Sequence, residues 1–163
     1  DNGSVTLTLK VYLNATLPAG ADGDVLDFKV NQNTTVTVDG SGVGSLFASG
    51  GTSVQSGAEA VDVAATALQF AANIANQKSG TAFATSVNAT DANDNVDGDY
   101  ASTVSLTVSS GNGTLSGTTS VAAVAGTAAF TGVIVNGSGF HVLDAGDGSL
   151  STSSNIFEVD SSA

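Results

Sequence analysis

The sequence predicts an all-β fold, a sandwich or barrel of short antiparallel strands, and three observations predict it. Apolar and polar residues alternate with period two along most of the chain, the repeat of a strand with one buried face. Clusters of Gly, Asn, Asp and Ser interrupt that alternation roughly every 8 to 12 residues, as the turns of a sandwich do. Val, Thr, Ser, Gly and Ala dominate, with a single proline, a composition that favours pleated sheets over helices. The 163 residues suffice for one large domain or two small ones.

The clearest strand opens the chain, over residues 4–13. Val5, Leu7, Leu9, Val11 and Leu13 share one face, while Thr6, Thr8, Lys10 and Tyr12 share the other. Such a strand must bury its apolar face, either in its own sheet or in the sheet of a neighbouring subunit, as in donor-strand complementation. Five buried Val and Leu side chains at about 1.5 to 3 kcal/mol each total on the order of 10 kcal/mol before entropic costs, so a joint of this kind resists dissociation.

Further strands are expected over residues 24–30 and 34–38, where Asp39-Gly40 supplies a turn, and more weakly over 43–48 and 52–55. Residues 59–77 are ambiguous. Their alanines suit a helix, but Val61, Val63 and Leu68-Gln69-Phe70 suit strands separated by a bend, and the strand reading is preferred. From residue 66 onward the pattern is regular. Strands are expected over 66–71, 83–90, 103–108, 118–124, 127–135, 140–143 and 155–159, seven in all.

Within this second part Leu68-Gln69-Phe70, Ser79-Gly80-Thr81-Ala82-Phe83, Asp91-Ala92-Asn93-Asp94-Asn95-Val96-Asp97, Gly113-Thr114-Leu115-Ser116-Gly117 and Gly126-Thr127-Ala128-Ala129-Phe130 resemble the bacterial and archaeal immunoglobulin-like repeats of S-layer proteins and large surface adhesins. The resemblance covers about residues 65–160. It implies a seven-stranded immunoglobulin-like β-sandwich in an extracellular protein, with no catalytic residues. The domain division that follows is 1–64, a smaller N-terminal β region, and 65–163, the sandwich. The N-terminal region is shorter than the roughly 100 residues of a complete sandwich of that type; it either folds onto the other half or is a sandwich lacking a strand.

The charge balance excludes some partners. Three lysines stand against 15 acidic residues, for a net charge of −12. Nucleic acid and anionic membranes repel such a surface. No apolar run reaches the roughly 18 residues of a transmembrane helix. The start, Asp1-Asn2-Gly3-Ser4, lacks signal-peptide character and reads as a mature, already processed end or as a boundary of the piece. Cysteine is absent, so neither a disulfide framework nor a thiolate metal site is available.

Two motifs point to ligands. Asp91, Asn93, Asn95, Asp97 and Asp99 place hard oxygen ligands at alternate positions, which suits Ca2+. By residue type the run resembles the Asp-x-Asn-Asp-Asn string of cadherins, yet Val96 stands where a helix–loop–helix calcium loop needs glycine and no glutamate closes it, so a plain polar turn is the competing reading. Asn-x-Ser/Thr sequons at Asn2, Asn14, Asn33, Asn88, Asn112 and Asn136 are candidate N-glycosylation acceptors. Three of them are Asn-Gly-Ser/Thr, which is also turn chemistry.

Enzymatic activity is not expected. His141 is the only histidine and reads as a surface residue at a strand edge, arginine is absent, and no Gly-x-Ser-x-Gly elbow occurs. The sequence therefore points to a secreted, cell-surface structural subunit that assembles with copies of itself into a filament or surface layer. The alternative is an adhesin or spacer module of a larger surface protein, for which glycans are the natural ligands. Against sugar stacking stands the scarcity of aromatics, with no Trp and only Tyr12 and Tyr100 as tyrosines.

Overall fold

The computed structural model describes residues 10–26, 29–30, 54–55 and 59–161. Every regular element among them is a strand. Four short ones belong to the N-terminal part: β1 (Val25–Leu26) pairs antiparallel with β4 (Glu59–Ala60), and β2 (Lys29–Val30) with β3 (Val54–Gln55). The strands expected over 34–38 and 43–48 lie outside the described residues, as does 4–9 of the first strand.

Beyond residue 60 two sheets face each other. The first has the order β5 (Ala67–Phe70), β7 (Ala82–Thr90), β11 (Thr127–Asn136), β9 (Thr114–Gly117). The second runs β10 (Ser120–Ala122), β8 (Thr103–Ser110), β12 (Gly139–Gly146), β14 (Phe157–Asp160), β6 (Gln77–Lys78), with β13 (Ser151–Ser153) paired to the other half of the β12 edge. Pairing is antiparallel except between β14 and β6, which run parallel with Val159 opposite Gln77. The chain is thus all-β and sandwich-like, as its alternation predicts. The ambiguous stretch over 59–77 forms strands β4, β5 and β6, with no helix.

Alternation explains what is buried. Val104 and Leu106 of β8 turn inward, while Thr103, Ser105 and Thr107 face solvent. From the opposite sheet Val87 and Ala89 of β7 meet them, with Ala128 and Phe130 of β11. In β11 the inward set then changes parity to Val133 and Val135, because a bulge between Thr131 and Val133 inserts one extra residue. Gly132 at the bulge has φ +90°, a conformation that costs glycine nothing. Leu143, Ala145, Phe157 and Val159 complete the core.

One asparagine side chain acts as a short piece of strand. Asn155 accepts from the Ile74 amide through Oδ1 at 2.7 Å and donates to the Ile74 carbonyl through Nδ2 at 2.9 Å. It fastens the stretch where the chain crosses from the edge of the first sheet, after β5, to the edge of the second, at β6. Such side-chain pairs satisfy backbone groups that a ladder has released.

His141 corrects the surface reading. It lies in β12, between β8 and β14, and is 0% exposed, while Phe140 beside it faces solvent. The imidazole fits a slot built by glycines: a Cβ on Gly113 would stand 2.5 Å from Nε2, and one on Gly111 equally close to Cδ2. Nδ1 lies 2.9 Å from the Gly139 carbonyl, which accepts from an Nδ1–H, and Nε2 has no partner among the described residues.

Candidate functional site

The chemistry-bearing residues gather at the end of the sandwich where β7 runs out. Thr90 closes β7 and is buried, because residues 91–99 fold back over it: Thr90 bridges to Val96 and the Asp97 amide donates to the Ala89 carbonyl at 3.0 Å. Asp91 organises this loop. Its Oδ1 accepts from the amides of Asn93 and Asn95 at 2.8 and 2.9 Å, and its Oδ2 accepts from Asn95 Nδ2 at 2.8 Å. These bonds to Asn95 and Asn93 hold the Asp91 carboxyl below the usual carboxylate range. Asp94 takes the left-handed conformation at φ 63°, which aspartate tolerates.

Asn95 reaches from the loop to the N-terminal segment. Its Oδ1 accepts from the Leu17 amide and its Nδ2 donates to the Ala15 carbonyl, both at 2.8 Å. Asp22 pins the same segment further along. It accepts from the Val63 amide at 2.7 Å through one oxygen and from the Gly98 amide at 2.8 Å through the other. Residues 15–23 are therefore fastened to the sandwich by side chains. Val61 and Val63 are buried beside them.

Three carboxylates converge here. One oxygen from each of Asp22, Asp97 and Asp99 lies within 4.8 Å of the others. Asp97, only 7% exposed, already accepts from the Ala65 and Tyr100 amides at 2.8 Å each. A hydrogen bond with Asp97 raises the Asp99 carboxyl, and the negative charges of Asp97, Asp22 and Asp62 raise it further. The donors are hard oxygens of the kind Ca2+ takes, though three are fewer than its usual six to eight. Of the five residues singled out in the sequence, the structure brings Asp97 and Asp99 together and gives Asp91 and Asn95 structural partners. Asn93 is exposed. Asp22 completes the cluster, and no local motif marked it.

Next to this cluster Tyr100 donates its hydroxyl to Asp147 Oδ2 at 2.7 Å. Burial, then the bond to Asp147, pushes the phenol up to about 12. The same bond, with the Leu150 and Ser149 amides, holds the Asp147 carboxyl down.

The segment expected to join subunits, residues 4–13, is described only at its end. Val5, Leu7 and Leu9 lie outside the described residues. Residues 10–13 belong to no strand, and Val11, Tyr12 and Leu13 are 49%, 82% and 53% exposed.

Among the sequons, Asn2 and Asn33 lie outside the described residues, and Asn14, Asn112 and Asn136 are exposed. Asn112 precedes β9 and Asn136 ends β11, and the two places touch, since a Cβ on Gly137 would meet the Gly113 backbone at 2.8 Å. Asn88 is half-buried and accepts from Thr127 Oγ1 at 3.0 Å.

No family model, curated protein or solved structure matches the chain.

Proposed function

We propose that this chain is a secreted structural subunit of a cell-surface filament or surface layer, joined to its neighbours by β-strand contacts in which residues 4–13 are the donor strand. The observation that carries the reading is the fate of the amphipathic segment's end. Leu17 and Asp22 are fastened to the sandwich, whereas Val11, Tyr12 and Leu13 just before them stand outside every sheet with their side chains in solvent. An amphipathic strand pattern whose described end, residues 10–13, lies outside every sheet suits a partner chain. The rest of the molecule supports the same reading. The strand order and the parallel β6–β14 pair suit an immunoglobulin-like bead, and the one imidazole, His141, is sealed in the core.

The test is sedimentation and negative-stain electron microscopy of the undiluted protein. Polymers that resist dilution are expected, and deleting residues 1–13 should leave soluble monomers with an unchanged sandwich. A full-length protein that is monomeric at every concentration would overturn the reading.

A second reading, a binding or spacer module of a longer surface protein, is favoured by Phe140 and Ile156, both largely exposed. Phe140 lies in β12 opposite Glu158 of β14, and Ile156 immediately precedes β14. Ligand binding that survives deletion of residues 1–13 and fails in Phe140→Ser would favour that module.

A further inference from the structure

Resting on the subunit reading, we infer that the acceptor for the donor strand is the open lower edge of β7, over residues 82–86, and that its occupant is residues 4–13 of a second copy. Among the described residues the edge is open because β5 ends early. Its last pair is Phe70 with Val87, followed by one bond from the Ala71 amide to the Ser86 carbonyl. The chain then leaves this sheet and crosses to β6. Below that point β7 pairs, among the described residues, on one side only, with β11.

The alternation of the ladder says which groups are left. The Ala89 amide bonds toward β11, at Gly126, while the Ser86 carbonyl bonds toward β5. Odd-numbered residues of β7 thus serve β11 and even-numbered ones face the outer edge. The backbone N–H and C=O of Ala84 and Ala82 therefore point away from β11, past the end of β5.

A groove of about 470 Å³ lies along this edge. Its lining includes Ala72, Ile74, Ala75 and Gln77 from the chain after β5, Ala84 and Ser86 of β7, and Phe130 of β11. Its lining is mostly small and apolar, and its open backbone groups demand an extended chain. Residues 4–13 answer both demands: their Val and Leu side chains would lie against Ile74 and Ala75, and Thr6, Thr8 and Lys10 would face solvent beside the exposed Ala84. Among the described residues 10–13 none lines the groove, and in this proposal a second copy supplies the strand. Ser86 and Ala84 leave no large side chain or charge to guard the edge, contrary to the usual protection of exposed strands.

The absence of cysteine makes the register testable. Ala84→Cys in one chain is mixed, before assembly, with a tagged second chain carrying Thr6→Cys, Thr8→Cys or Lys10→Cys. Residues directly opposite in an antiparallel pair stand about 5.5 Å apart at Cα, within disulfide reach. Mild oxidation should link the two chains in one of the three mixtures, and the link should persist on a non-reducing gel. Ala84→Pro, which removes one outward N–H at an edge where proline is tolerated, should abolish polymers and leave the sandwich folded by circular dichroism. Polymers that form normally with Ala84→Pro and show none of the three links would overturn this acceptor while the subunit reading stands. A link that forms only within a doubly substituted single chain would also overturn it. A wild-type protein that never polymerises would instead overturn the subunit reading itself.

Discussion

The sandwich and the N-terminal segment use the same residue types to opposite ends. In β8 and β11 valine, leucine and phenylalanine alternate with hydroxyls and find a facing sheet in the same chain, so Val104, Phe130 and Val133 are wholly buried. In residues 10–13 the same alternation ends in solvent, and among the described residues the segment is held further along, by the side chains of Asn95 and Asp22. Periodicity specifies that a strand will bury a face; only topology specifies against what. The N-terminal segment thus depends on polar clamps where the sandwich depends on apolar area.

The largest expected effect sharpens that contrast. Phe130→Ala removes a fully buried ring and should cost about 3 to 5 kcal/mol, a large share of the stability of a single domain. Leu13→Ala, at a half-exposed site, should change the melting temperature of the monomer within the small range of surface substitutions while weakening polymers. Thermal melts of the two variants, with sedimentation in parallel, check both halves. Equal destabilisation by the two would mean that Leu13 is buried in the isolated chain.

The next effect is local. Asn95→Ala removes the bonds to Leu17, Ala15 and Asp91 and leaves partly buried backbone groups unpaired, a loss of about 1 to 3 kcal/mol. Hydrogen exchange should show the Leu17 amide losing protection, and limited proteolysis should cut before residue 22, with the amides of β11 unchanged. If β11 loses protection too, the segment is part of the sandwich and not an arm clipped onto it.

How far these features were legible depends on the range of the contacts that create them. The strands expected over 66–71, 83–90, 103–108 and 127–135 are found because each carries its own alternation. β9 and β13 were missed: Thr114-Leu115-Ser116-Gly117 and Ser151-Thr152-Ser153 are too short and too polar to show a period. His141 was placed on the wrong side because Phe140 is the more apolar neighbour. Leu143 and Ala145 fix the parity of β12, and the slot made by Gly111 and Gly113 accepts a ring there. Asp22 was invisible in the acidic motif because it meets the loop across 76 positions of sequence. Asn95 reads as part of a polar turn or calcium motif and Asn155 as the start of a strand for the same reason, since their partners lie 78 and 81 positions away.

The smallest effect tests the acidic cluster that joins the two regions. The Asp99 carboxyl is raised by its bond to Asp97 and by the charges of Asp97, Asp22 and Asp62, so the folded chain keeps this proton to higher pH than the unfolded chain does. Stability from this group is present below the ordinary carboxylate value and is lost as pH rises through the raised one. Asp91 and Asp147, held down by their hydrogen bonds, act oppositely: their contribution is present above the ordinary value and lost as pH falls. Asp99→Asn removes one charge from the cluster and should raise the melting temperature at pH 7 in chelator, with little change at pH 3. Because Asp99 is exposed, the gain should shrink as salt screens the cluster. Millimolar calcium separates repulsion from ligation: a melting temperature that rises with calcium in the wild type and not in Asp99→Asn would place the cation among Asp22, Asp97 and Asp99. Equal curves would leave the three carboxylates as a clamp on the N-terminal segment, strained by their own charge.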